Sequence, residues 1–291
     1  MKKRLGILFL VMILSISLLA GCSGQDQEAT TDETNGETTE QTTGELVDGT
    51  YLIKEPVSDK GNYPMAVLVV ENGEIKEYKY SEILATLGEE KSESNYKYQE
   101  AIDVIANLNE QFNEKKNLDE IDFDAVSGAT HTKENFKRIT EEILKKAQNG
   151  ETYEPVYKDG VYEAEAEEPS HGWLGKVKVV VKEGQIVGVD YYEVAVEDME
   201  GSKVVFNEEG EPETDEDGKP KTEEVEIKEG DRKSIENYAY LTTFDVITQM
   251  QKLIIDNNGV EGIDVDSVTG ATGTRTNIVD LVTKALEGAK L

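Results

Sequence analysis

Asp124-Ala125-Val126-Ser127-Gly128-Ala129-Thr130 recurs as Asp266-Ser267-Val268-Thr269-Gly270-Ala271-Thr272, at an offset of 272 − 130 = 142 residues. Each copy presents a carboxylate, a small-residue loop and a hydroxyl, and each opens an apolar helical pattern. Gly128-Ala129 and Gly270-Ala271 are too small to shield the backbone. The helices expected near Thr132 and Thr274 add unpaired amides and the positive end of a dipole. A phosphate is the natural ligand of such a loop, with the Thr130 or Thr272 hydroxyl within reach of the phosphorus. The plain alternative is that Thr130, Thr132, Thr272 and Thr274 cap helices. Capping accounts for a hydroxyl, but not for an acid three residues before Ser127 and Thr269, nor for Gly-Ala at identical spacing.

The elements that carry these loops are themselves repeated. The 142-residue offset also relates Asn95-Tyr96-Lys97-Tyr98 to Asn237-Tyr238-Ala239-Tyr240 and Asp103-Val104-Ile105 to Asp245-Val246-Ile247. Earlier in the chain an offset of 159 − 48 = 111 relates Asp48-Gly49-Thr50-Tyr51 to Asp159-Gly160-Val161-Tyr162, and Asn72-Gly73 to Glu183-Gly184. The second repeat therefore holds 142 − 111 = 31 extra residues between Tyr191 and Asn237. They include the acidic, Gly- and Pro-containing stretch 207–221, which reads as an extended hairpin or loop. Asp215-Glu216-Asp217-Gly218 hints at a calcium loop, but the remaining ligands are missing and a solvated acidic loop is expected.

Within each repeat the strands come first. Lys176 to Val181 alternates apolar with polar, and Val67 to Val70 is more fully apolar; each is followed by a tight turn and a second strand, giving an antiparallel hairpin. Tyr98, Ile102, Ile105, Leu108 and Phe112 then recur at helical spacing, mirrored by Tyr240, Phe244, Ile247, Met250 and Ile254, and are expected to be core. A last helix carries Phe136, Ile139 and Ile143 in repeat one and Ile278, Leu281 and Ala285 in repeat two. The expected fold is α+β: two tandem homologous domains, each a small antiparallel sheet packed with two main helices. Residues 48–148 form the first and 159–291 the second, with a linker at 149–158 and the insertion within about 195–232.

Lys2, Lys3 and Arg4 precede an apolar run from Leu5 to Leu19 and then Ala20-Gly21-Cys22, the plan of a secretory signal over residues 1–21. The run is shorter than the ~18 apolar residues of a membrane span. Leu19-Ala20-Gly21-Cys22 resembles the bacterial lipobox, which implies that Cys22 is lipidated and that the chain is held at the extracytoplasmic face of the cell membrane by this anchor only. Residues 22–47 are expected to be a disordered acidic tether, since 23–45 contain no basic residue and almost no apolar one. The formal charge is −31, from 61 acidic and 30 basic residues, which disfavours nucleic acid and anionic lipid as partners. Cys22 is the only cysteine and His131 and His171 the only histidines, so haem, iron–sulfur and cysteine–zinc sites are excluded in their usual forms. Any redox cofactor must be organic.

Asp124 to Thr130 and Asp266 to Thr272 match the Asp-x-x-Ser/Thr-Gly-Ala-Thr signature of the FMN-binding domain family. That family includes the peripheral flavin subunits of the Rnf complex and of the sodium-pumping NADH:quinone reductase. The resemblance implies that Thr130 and Thr272 each carry FMN as a phosphoester, two covalent FMN in all, installed by a separate flavin transferase. Asp124 and Asp266 would be needed for the modification, while Ser127, Gly128, Ala129, Thr269, Gly270 and Ala271 shape the loops. The tandem arrangement behind a lipobox resembles the extracellular electron-transfer flavoproteins of Gram-positive bacteria. It implies a membrane NADH dehydrogenase or quinol donor and an extracellular acceptor such as ferric iron or a partner reductase. With no nucleophile–base pair or acid/base cluster, the chain reads as a carrier more than an enzyme. Trp173 is a candidate to stack on the flavin or else to cover the sheet edge; Arg275, or His131 in repeat one, is a candidate partner for the phosphoester. The competing readings are a lipoprotein or adhesin that binds a phosphorylated small molecule noncovalently, a flavin-dependent extracellular reductase, and a structural spacer.

Overall fold

The computed structural model describes residues 45–291, so the signal, Cys22 and nearly all of the tether lie outside the described residues. Repeat one runs β1 (Gly49–Lys54), β2 (Asn62–Glu71), β3 (Glu74–Leu84), β4 (Glu89–Glu90), α1 (Gln99–Lys115) and α2 (Thr130–Asn149). Repeat two runs β5 (Gly160–Glu165), β6 (Trp173–Lys182), β7 (Gln185–Ala195), β8 (Met199–Val204), β9 (Thr222–Ile227), α3 (Thr242–Asn257) and α4 (Thr272–Ala285). The sheets are antiparallel, in the orders β1-β2-β3-β4, β5-β6-β7 and β8-β9. The fold is thus α+β, two homologous sheet-plus-helices units in tandem.

The duplication extends to single hydrogen bonds. Asn72-Gly73 and Glu183-Gly184 take left-handed φ values of 55° and 72°, and 52° and 65°, the two-residue geometry whose twist suits a hairpin. Asp48 Oδ1 accepts from the Gly73 amide at 2.8 Å and Asp159 Oδ1 from the Gly184 amide at 2.7 Å, bracing each turn from the strand before it. Hydrogen bonds from the turn amides hold the Asp48 carboxyl below its ordinary value. A register shift falls at Val69/Val70 in one sheet and at Val180/Val181 in the other.

Val194 bridges Arg232 as Ile83 pairs with Glu90, so the extra residues stand between β7 and that pairing. They rise as the β8–β9 ribbon, with Met199 opposite Ile227 and Val204 opposite Thr222. Near its tip Asp215 Oδ1 accepts from the amides of Asp217 and Lys219, both at 2.9 Å, which makes this side chain a turn former. Among the described residues no group of three or more His, Cys, Asp or Glu is arranged to hold a metal.

The helix faces differ from the expected stripe. Tyr98 and Tyr240 precede α1 and α3 and are 52% and 70% exposed. The buried row of α1 is Ala101, Val104, Leu108 and Phe112, and α3 buries Val246, Met250 and Ile254; Ile102, Ile105, Phe244 and Ile247 are only half-buried. Polar side chains decide the rotation of α1. Asn109 pairs with both the N–H and C=O of Tyr80 at 2.8 Å, and Asn113 with those of Tyr78 at 3.0 and 2.6 Å, turning this row toward β3. The last helices bury Phe136, Ile139 and Ile143, and Ile278, Leu281 and Ala285.

Tyr51, Leu68, Tyr78, Tyr80, Phe112 and Phe136 belong to a core between the first sheet and its helices. The second core crosses the repeats: Val57, Tyr63, Met65, Ile83 and Ala85 of repeat one join Val179, Val187, Met250 and Ile254 of repeat two. Polar stitches follow the same seam. Tyr63 donates to the Val187 carbonyl at 2.7 Å, the Val189 amide to that of Ala85 at 3.1 Å, and Lys54 Nζ to those of Ile255 and Ile186 at 2.6 and 3.1 Å. Burial pulls Lys54 down to about 8. The described residues accordingly form one compact unit.

Candidate functional site

Both motif loops end in consecutive left-handed residues. Gly128 and Ala129 have φ of 83° and 45°, and Gly270 and Ala271 of 91° and 35°. Glycine takes this geometry freely, but an alanine there meets a clash between Cβ and carbonyl worth roughly 1–2 kcal/mol. Helices α2 and α4 begin at Thr130 and Thr272, two residues earlier than expected, so Ala129 and Ala271 occupy the cap positions and supply no side-chain hydrogen bond. The threonine caps of the plain alternative are therefore not formed. First-turn amides lack intrahelical acceptors, and each loop leaves them without a capping side chain. Backbone strain retained twice at one offset is the kind that functional sites keep.

The motif side chains lie at the surface. Asp124, Ser127, Gly128 and Thr130 are exposed, as are Asp266, Thr269, Gly270 and Thr272, while Ala129 and Ala271 are half-buried. Space at Gly128 is also tight, since a Cβ there would stand 3.3 Å from that of Glu100. In repeat two the structure joins three candidates. Arg275 Nη1 lies 3.4 Å from Asp266 Oδ1 and donates to the Val265 carbonyl at 2.7 Å, while Nη2 reaches Thr272 Oγ1 at 3.4 Å. Its side chain is 12% exposed, and Nε is buried without a hydrogen-bond partner. A guanidinium thus stands against the acceptor hydroxyl, suited to an anion there. In repeat one Lys133 holds the equivalent position, and His131 instead points to Glu134, with Nδ1 3.3 Å from Oε2, out in solvent.

An open-sided cavity of about 280 Å³ adjoins Thr130, walled by Asn62, Lys91, Tyr96, Tyr98, Ala129 and Thr132 among others. Glu82 forms part of its lining and is ion-paired with Lys91 at 2.5 Å, both side chains about 5% exposed or less. Tyr80 donates to the other Glu82 oxygen at 3.1 Å, and Lys91 Nζ sits 4.2 Å from the centre of the Tyr96 ring. Every member has a counterpart. Glu193 pairs with Lys233, Tyr191 donates to Glu193 at 2.8 Å, and Lys233 Nζ is 4.2 Å from the Tyr238 ring. Burial and the neighbouring glutamate raise the Tyr80 and Tyr191 hydroxyls far above their ordinary value.

Sequence reasoning missed these residues, although a signal was present. Lys91-Ser92-x-x-Asn95-Tyr96-x-Tyr98 repeats as Lys233-Ser234-x-x-Asn237-Tyr238-x-Tyr240, four residues earlier than the match at Asn95. Tyr80-x-Glu82 repeats as Tyr191-x-Glu193 at the first offset. The Asn95 and Asn237 carboxamides accept from the Ser92 and Ser234 amides at 2.8 Å, fixing the same turn in both copies. Trp173 opens β6 at the register of Asn62 and is buried with Ala195, Ile227 and Met199, so it closes the sheet end against the ribbon. Its ring also faces Lys233 Nζ at 4.7 Å and meets Tyr238 edge-on at 6.4 Å.

These groups fit a phosphate at the loop and a flat aromatic body in the cavity at Thr130. Among the described residues no helix is long and apolar enough to cross a membrane. No protein-family model and no curated protein matches the chain. A crystal structure of the CPE2226 protein from Clostridium perfringens is similar at 26% identity over 37% of this chain and 93% of its own, with a TM-score of 0.33.

Proposed function

We propose that this chain is a lipid-anchored, extracytoplasmic flavoprotein of the FMN-binding domain type, with FMN esterified through its phosphate to Thr130 and to Thr272. It relays electrons from a membrane donor to an extracellular acceptor. One observation carries the reading: both Asp-x-x-Ser/Thr-Gly-Ala-Thr loops hold an alanine in the left-handed region at the first turn of a helix, with the threonine hydroxyl exposed. That conformation leaves amides open to a phosphate and the hydroxyl free to form an ester. Arg275 would pair with the phosphate in repeat two, with Lys133 at the same position in repeat one. FMN, once bound, supplies the redox chemistry by accepting two electrons and releasing them singly. The chain's own contribution is retention and environment. Outside the cell even a nanomolar complex, worth about −12 kcal/mol, dissociates on unlimited dilution, whereas an ester does not.

The test is the intact mass of the chain coexpressed with a flavin transferase in an exporting host, beside Thr130→Ala and Thr272→Ala. Two FMN less two waters are expected, with one increment lost in each variant. No increment, from a host that modifies a control flavoprotein, would overturn covalent attachment and favour noncovalent binding of a phosphorylated ligand at the same loops.

A further inference from the structure

In the paired clusters Tyr80–Glu82–Lys91–Tyr96 and Tyr191–Glu193–Lys233–Tyr238 the two tyrosines Tyr80 and Tyr191 belong to the cores, but packing does not explain the ion pairs beside them. A buried ion pair is often matched or bettered in stability by apolar residues of the same volume, yet this one is kept twice at the repeat offsets. In repeat one it also borders the candidate site. In repeat one the Lys91 ammonium, the Tyr96 and Tyr98 rings and Thr130 line a single cavity. Tyr98 leaves about half of its surface in water and Tyr240 more, and the rings of Tyr96 and Tyr98 lie 5.5 Å apart, those of Tyr238 and Tyr240 5.4 Å. An aromatic lip, a buried ammonium behind it and an esterifiable hydroxyl beside it suit a flat ring that bears acceptor atoms on its edge and gains negative charge when reduced.

Building on the covalent-flavin reading above, we infer that Lys91–Glu82 and Lys233–Glu193 are the charge pairs that set the electron affinity of the two rings, with Tyr98 and Tyr240 as their lips. The sites are inequivalent because Lys233 faces the Trp173 ring at 4.7 Å, whereas Lys91 shares its cavity with Asn62 at the corresponding position. Uptake of two electrons and one proton leaves the reduced ring with one additional negative charge. In a partly desolvated site a nearby ammonium favours that product, and the carboxylate paired with it opposes it. Removing either partner therefore shifts the potential in opposite directions. A pair that merely props up the strand would not give opposite signs.

The experiment uses the full chain with flavin transferase in the Thr272→Ala background, so that one flavin at Thr130 is observed. Mass is measured first, then midpoint potential by spectroscopic titration with dithionite as the reductant. Glu82→Gln is expected to raise the potential, Lys91→Met to lower it, the double variant to fall between them, and Tyr98→Leu to brighten flavin fluorescence by several-fold. Glu82→Gln retains hydrogen-bonding capacity toward Tyr80 and Lys91, so it remains informative if Lys91→Met does not fold. Potentials that stay put or move together, with the mass increment intact, overturn this inference alone. Absence of the increment in the parent overturns it together with the covalent-flavin reading.

Discussion

Replacing Tyr63 by Ala alters a residue of repeat one, but the effect should be read out in repeat two. Tyr63 is fully buried in the core that crosses the repeats, and its hydroxyl donates to the Val187 carbonyl at 2.7 Å. Loss of a large aromatic from a packed core destabilises by about 3–5 kcal/mol, and the lost hydrogen bond adds about 1 kcal/mol. Taking about 5 kcal/mol overall and a urea slope of about 3 kcal/mol/M, the midpoint should fall by about 1.7 M. Trp173 is the only tryptophan and is buried in repeat two, so its fluorescence reports that half, whereas far-ultraviolet circular dichroism reports both. In the parent the two signals should coincide, as expected of one cooperative unit. In Tyr63→Ala they should move together, and Tyr63→Phe should shift both by about 0.3 M, since only the hydrogen bond goes. If the fluorescence transition of Tyr63→Ala stays at the parental midpoint while circular dichroism splits into two steps, the shared core does not couple the repeats and the reasoning fails.

Gly188→Ala should strike the same seam, because its Cβ would lie 2.4 Å from the Gly88 backbone. Overpacking of this sort costs roughly 1–3 kcal/mol, and an unchanged melting temperature would contradict the close approach. Asn109→Ala leaves both backbone groups of Tyr80 without their side-chain partner. Destabilisation of about 2–3 kcal/mol is expected by urea unfolding, with Asn109→Asp, which retains only the acceptor, falling between. Lys54 is protonated up to about 8 in the folded chain and up to its ordinary 10.5 when unfolded. Between those values the unfolded chain holds more protons, so this group makes stability rise with pH, by about 2 kcal/mol between pH 7 and 9.5. Lys54→Met should lack that increment, and parallel pH profiles of urea midpoints for parent and variant would refute the assignment.

Sequence by itself determined what repeats and where. Two offsets located the hairpins, the loop-and-helix motif and the excess residues, because turn chemistry, strand alternation and the Gly-Ala loop are local properties of neighbouring residues. The rest needed the folded chain. Long apolar stretches such as Tyr63 to Val70 announce burial on both faces, but not that repeat two covers the second face. Tyr98 fits a helical stripe by spacing, yet the helix starts after it, and the Asn109 and Asn113 bonds to β3 select the neighbouring row for the core. Threonine is the better cap by propensity, but the loop closure puts Ala129 and Ala271 there and leaves neither threonine hydroxyl as a cap. Glu82 and Lys91 are unremarkable charges along the chain and become a buried pair because Ile83 pairs with Glu90, bringing Lys91 across from Glu82. Local preferences act within a few residues, whereas charge pairing, helix rotation and the partner of an apolar face depend on which distant segments the fold brings into contact.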